Sequence, residues 1–127
     1  MTRTTAVVAA VTAAACLMAT AASAMSVQEF LSTAAHVPHN PTALLRPDAR
    51  RLMGEIQGAF ATLKTERETA VAAHRQPAYC PPVGQHARIS ADDILARLNA
   101  VPASRRSISV TQAMREWMAE RYPCPAA

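Results

Sequence analysis

Residues 47–74 read PDARRLMGEIQGAFATLKTERETAVAAH, and this stretch decides the fold class. Ala49, Leu52, Met53, Ile56, Phe60, Leu63, Ala70 and Val71 recur with the 3.6-residue period of a helix. Pro47 has the fixed φ that suits a first helical turn, and Asp48 sets a negative charge at the positive end of the helix dipole. The pattern predicts one helix to about His74, roughly 27 residues or about 40 Å long at 1.5 Å per residue. Gly54 and Gly58 lie four apart on one side and weaken its propensity by up to about 1 kcal/mol each. They read as glycines tolerated on a surface; the alternative is close approach of another helix, from this chain or a second copy.

Shorter helices are predicted on both sides. Upstream, Ser26-Val27-Gln28-Glu29 has the form of a capping box, with Val27, Phe30, Leu31 and Ala34 following at helical spacing, so a helix is expected from Val27 to Ala35. Pro38 and Pro41 stop it, and Thr42 is placed to cap a single turn through Leu45. Downstream, 76–88 is a proline-marked loop holding Cys80. Ser90-Ala91-Asp92-Asp93 restarts helix, with Ile94, Leu95 and Leu98 on one face and Pro102 at the end. After a basic turn around Arg105 and Arg106, Ser109-Val110-Thr111-Gln112 forms a second box, with Ile108 placed to staple onto Ala113. Val110, Ala113, Met114, Trp117 and Met118 then give the last helix its apolar stripe. The expected fold is all-α: a small domain of four to five helices stapled by one disulfide.

The staple follows from the start of the chain. Arg3, the apolar run from Ala6 to Thr20 and the small residues Ala22-Ser23-Ala24 have the form of a signal peptide, with cleavage expected after Ala24. The run is too short to span a bilayer, so no stable membrane anchor is expected. Cys16 raises the alternative of a lipoprotein, but the three residues before it are alanines and the apolar run continues past it. Removing 24 of the 127 residues leaves about 103, with 12 Lys plus Arg against 9 acids. That is one mildly basic domain, 25–127, whose scattered charge gives no argument for nucleic acid. Lys64 is its only lysine. The arginine and alanine usage suggests a GC-rich bacterial genome and hence the periplasm as compartment.

With Cys16 removed, Cys80 and Cys124 remain, and an oxidising compartment makes a disulfide between them the expected state. Closing a loop of about 45 residues contributes roughly 4 kcal/mol in the chain-entropy model. The catalytic alternative is a Cys80 thiolate activated by His74 or His86, which needs a reduced thiol and a base at hydrogen-bond distance.

Other chemistry finds little support. His36 and His39 straddle a proline turn, and His74 and His86 flank Cys80, so four imidazoles exist for a metal; no His-Glu-x-x-His helix accompanies them, and exposed loop histidines are the simpler expectation. Asp92 and Asp93 point about 100° apart on a helix and do not face each other as an acid and base pair; helix capping suits them better. Trp117 and Met118 read as core, with an aromatic binding anchor as the alternative. There is no phosphate loop. Neither enzyme activity nor a cofactor is expected.

Several stretches occur in a familiar order: Met25-Ser26-Val27 through Phe30-Leu31, a long helix, Cys80-Pro81-Pro82, and Ile94-Leu95-Ala96-Arg97-Leu98. Val101-Pro102-Ala103-Ser104-Arg105 follows, then Val110 through Ala113-Met114 to Tyr122-Pro123-Cys124-Pro125. This order resembles the Rap1a/Tai family of immunity proteins over nearly the whole chain after Ala24. The resemblance implies a periplasmic, disulfide-bonded helical protein, generally a homodimer, that inhibits a peptidoglycan amidase effector delivered by type VI secretion. It makes Cys80 and Cys124 the structural bridge and assigns no inhibitory residues. Arg105 and Arg106 are the candidate partner contacts, against an alternative of ordinary solvated turn residues. A structural or stress-related envelope protein without a toxin partner is the second functional expectation.

Overall fold

The computed structural model describes residues 24–82 and 88–126. The expected signal segment up to residue 23, with Cys16, and His86 of the loop lie outside the described residues. Four α-helices carry the fold: α1 (Val27–Ala34), α2 (Pro47–Ala72), α3 (Ala91–Asn99) and α4 (Val110–Arg121). Short 3-10 turns at Pro41–Leu45 and Ala103–Arg105 precede α2 and α4, and no strand occurs among the described residues. The all-α expectation holds.

Helix α2 begins at Pro47 as its composition dictates and ends two residues earlier than its periodicity suggests. His74 takes a left-handed φ of 54°, which turns the chain back on itself: its N–H donates to the Val71 carbonyl at 3.0 Å and the Arg75 N–H to Ala70 at 2.8 Å. Those bonds satisfy carbonyls that the end of a helix otherwise leaves open. Ala49, Leu52, Ala59, Leu63 and Ala70 are buried along α2, with Ile56 and Phe60 half-buried against the same core. Met53 and Val71, expected in the stripe, are 48% and 58% exposed. Each directly follows a buried residue, and one step along a helix rotates the side chain by about 100°, enough to carry it off the packed face.

The other helices close around that face. α4 makes the most extensive contact with α2, α1 packs beside it, and α3 rests on α1 and α4. Val27, Leu63, Leu98, Val110 and Met114 are fully buried where they meet. Each such side chain contributes about 1.5–3 kcal/mol by leaving water.

Helices α1 and α4 are joined at their N-termini. Ser26 and Ser109 pair as an antiparallel bridge, in which Val27 N–H donates to the Ile108 carbonyl and Val110 N–H to that of Met25, both at 2.9 Å. Ser26 Oγ accepts from Glu29 N–H at 3.1 Å, and Ser109 Oγ from Gln112 N–H at 3.0 Å. Only this half of each expected capping box forms. Glu29 turns its carboxylate to Arg51 on α2, and the Gln112 amide bonds Glu116 and Arg115, so neither side chain returns to the cap. The complete box is at Ser90 and Asp93, which bond reciprocally at the start of α3. At the first 3-10 turn the cap is Asn40, whose Oδ1 accepts from Thr42 N–H at 3.1 Å, in place of Thr42 itself.

The disulfide between Cys80 and Cys124 is formed. It ties the segment after α2 to the tail of α4. Cys80 N–H donates to the Tyr122 carbonyl at 2.8 Å beside it, and Gln76 Nε2 reaches the Pro125 carbonyl at 3.2 Å. With both sulfurs in the bond, Cys80 has no thiol to ionise, and the thiolate alternative is closed. Among the described residues no helix is long and apolar enough to cross a membrane.

Candidate functional site

Pro38 and Pro41 drive the chain away from α1, and the turn at Pro41–Leu45 crosses onto the start of α2 before the long helix begins. This detour leaves the end of α1, the first half of α2 and the start of α3 without a helix over them among the described residues. The result is an open groove of about 470 Å³. Phe30, Leu52 and Ile94 form its buried floor, with Ile56 and Leu95 half-buried beside them. Leu44 and Met53 stand on its rim, 63% and 48% exposed. Next to Leu44, Leu45 is 77% exposed.

Only His39 and Gln57 bring polar side chains to this lining. With a single titratable group and no carboxylate, the groove is suited to receiving apolar side chains. Covering it is favourable at about 25 cal/mol per Å² of apolar surface removed from water. Exposed Leu and Met clustered around a concavity are the kind of surface that marks interaction sites.

Arg105 and Arg106 lie near the opposite end of α1, where the Arg106 carbonyl accepts from Gln28 N–H. Arg105 forms a two-pronged pair with Glu116, Nη2 to Oε1 at 2.7 Å and Nη1 to Oε2 at 3.3 Å. These hydrogen bonds hold Arg105 more firmly protonated and draw Glu116 below the usual carboxylate range, with Gln112 assisting. Arg106 turns inward: Nε donates to the Val101 carbonyl at 3.0 Å and Nη2 to that of Asn99 at 3.1 Å, satisfying carbonyls at and just past the end of α3. Both guanidinium groups therefore hold the scaffold, and Arg105 keeps about half of its side chain in water.

A second cross-helix clamp joins Arg115 on α4 to Glu66 on α2, at 2.6 and 3.0 Å. It lowers the Glu66 pKa and raises that of Arg115, in each case chiefly through the hydrogen bonds. Arg97 and Glu120 tie α3 to α4 at 2.8 Å.

The remaining sequence candidates stay apart. Among the described residues no three His, Cys, Asp or Glu side chains converge as a metal ion requires; His36 and His74 are exposed in separate turns. Asp93 is engaged with Ser90, whose backbone and hydroxyl hydrogen bonds lower its pKa, while Asp92 is exposed. Met118 is buried and Trp117 half-buried at the core's edge. At Gly54 and Gly58 an added Cβ meets nothing within 4 Å, so no helix among the described residues approaches them.

Sequence reasoning missed the groove. Its one legible signal was Leu44-Leu45, an apolar pair set in a proline-bounded turn that has no stripe to join. No known protein family, curated protein or solved structure was found to match this chain.

Proposed function

We propose that this is an exported, periplasmic, non-catalytic binding protein of the immunity type, which inhibits a peptidoglycan amidase effector by covering its active site. The observation that carries the binding role is the apolar groove with its exposed rim at Leu44 and Met53, on a scaffold braced by the Cys80–Cys124 bond. A braced scaffold loses little conformational freedom when it docks, which favours a tight steric inhibitor. The choice of an amidase as partner rests on the resemblance of the two cysteine motifs and the segment between them to the Rap1a/Tai immunity proteins. Because Arg106 is spent on backbone carbonyls and Arg105 on Glu116, the apolar rim is the better contact surface, with Arg105 as a polar contributor at a distance.

Co-expression with a periplasmically targeted amidase encoded beside the gene tests this. Protection from lysis is expected for the parent protein and for Arg106→Lys, and is lost in Leu44→Asp and Met53→Asp although both stay folded. Unchanged lysis with no association between the purified proteins would sink the immunity assignment and leave the structural envelope role in its place.

A further inference from the structure

Glu55 is a half-buried carboxylate on α2 that pairs with no arginine, lysine or histidine among the described residues. Most of the other acids are engaged. Glu29, Asp48, Glu66, Glu68, Glu116 and Glu120 each have a cationic partner, and Asp93 caps its helix. One turn before Glu55, Arg51 is the nearest cation along α2, yet it reaches across to Glu29. Among the described residues the only hydrogen bond to the Glu55 carboxylate comes from the backbone N–H of Met25, at 3.1 Å. A carboxylate drawn partly out of water and left without a cation carries a desolvation cost that one neutral N–H offsets poorly.

Met25 is also the first buried residue among the described ones. Its side chain is 4% exposed within the core, and its carbonyl accepts from Val110 N–H at 2.9 Å. Ala24, immediately before it, is exposed. The step from exposed Ala24 to buried Met25 thus coincides with the bond that follows Ala22-Ser23-Ala24, the small-residue pattern that a signal peptidase requires.

We infer that the Ala24–Met25 bond is the processing site and that the α-ammonium group released on Met25 is the missing cation of Glu55. Hydrolysis adds one water: its oxygen joins the Ala24 carbonyl carbon as the C–N bond breaks and leaves a carboxylate there, while the Met25 nitrogen keeps its amide proton and takes up the water's two protons to become an ammonium group. A single amide donor 3.1 Å from the carboxylate becomes a charged group with three donors at the same place. Removal of the leader then completes an ion pair between the start of α1 and the middle of α2. The inference rests on the export reading and is independent of what the protein inhibits.

The first test is the intact mass of exported protein, which should correspond to a chain starting at Met25. The second is a double-variant cycle on purified protein. One arm starts at Met25, released from a fusion by a protease that leaves this residue first; the other retains Ala22-Ser23-Ala24, which moves the charge away. Glu55→Gln should lower Tm in the Met25 form by about 4–8 °C, the shift that a 1 kcal/mol loss causes in a domain of this size. In the extended form it should lower Tm by clearly less. NMR titration of the Met25 amine should place its pKa above the ordinary range of about 7.7–8.0, falling toward it in Glu55→Gln.

A different N-terminus in exported protein overturns the processing site. An equal effect of Glu55→Gln in both forms, or an amine titrating in the ordinary range, overturns the pair. Failure to protect cells from an amidase alters none of these readouts.

Discussion

Ser26 and Ser109 face each other as an antiparallel bridge while each caps the helix that it precedes. Residues distant in sequence are thereby made to share one structural unit, two helix N-termini laid side by side. The backbone supplies the register through the Val27 to Ile108 and Val110 to Met25 hydrogen bonds. The side chains supply acceptors for N–H groups that the first helical turn cannot pair internally.

Ser26→Ala and Ser109→Ala should each lower stability by about 1 kcal/mol, because each leaves an N–H of the first turn without its acceptor. Substitution by Asp, which also accepts, should cost much less. Urea unfolding midpoints check this, and a neutral alanine at both positions would show that the caps contribute nothing to the pairing.

The Cys80–Cys124 bond closes a loop with a sequence separation of 44 residues. Cys124→Ser, or reduction of the parent protein, should cost roughly 4 kcal/mol in the chain-entropy model. Protein purified without reductant and alkylated under denaturing conditions should show no free thiol on these two residues. Two alkylated cysteines in folded protein would contradict the bridge.

Gly54→Ala and Gly58→Ala place a methyl group in open space on an α-helix. Each should stabilise the monomer by up to about 1 kcal/mol, since alanine loses less backbone freedom than glycine on entering a helix. Thermal unfolding together with sedimentation separates the two roles weighed for these residues. If alanine weakens self-association instead, the glycines serve close contact with a second copy.

Acid should destabilise the fold through Glu66, Glu116 and Asp93. All three pKa values are lowered in the folded protein, by the Arg115, Arg105 and Ser90 hydrogen bonds respectively. A carboxylate lowered by folding stabilises at pH above its unfolded value and loses that contribution as pH falls through the folded value. Stability should therefore start to fall near pH 4.5, the ordinary value for Glu66 and Glu116, and keep falling below 3.8, that of Asp93. Glu66→Gln should flatten this dependence, and salt should weaken it because the pairs are exposed. Denaturation midpoints that are level from neutral pH down to pH 3 would refute the assignment.

Local chemistry explains what was legible from residues alone. The period of α2, the stop at Pro38 and Pro41, and the Ser90 cap are properties of neighbours within a few positions. His74 escaped notice because a left-handed helix end is ordinarily announced by glycine, and a histidine gives no such sign. Met53 was misjudged because a hydrophobic residue beside the stripe looks the same whether a neighbouring helix covers it or not. Arg105 and Arg106 looked alike in a basic turn, yet one pairs with Glu116 and the other with the carbonyls of Asn99 and Val101.

By itself the sequence determined the helical class, nearly all helix boundaries and the one disulfide. Periodicity, caps, prolines and cysteine count act over short range or by composition. Only the tertiary structure decided that the starts of α1 and α4 lie together, that Glu55 meets the backbone of Met25, and that Leu44 and Met53 border a groove left open among the described residues. Each of these depends on which helix face is covered by which neighbour. Coverage is set by competition among all the apolar faces for a small core, a property of the whole chain that no single segment carries.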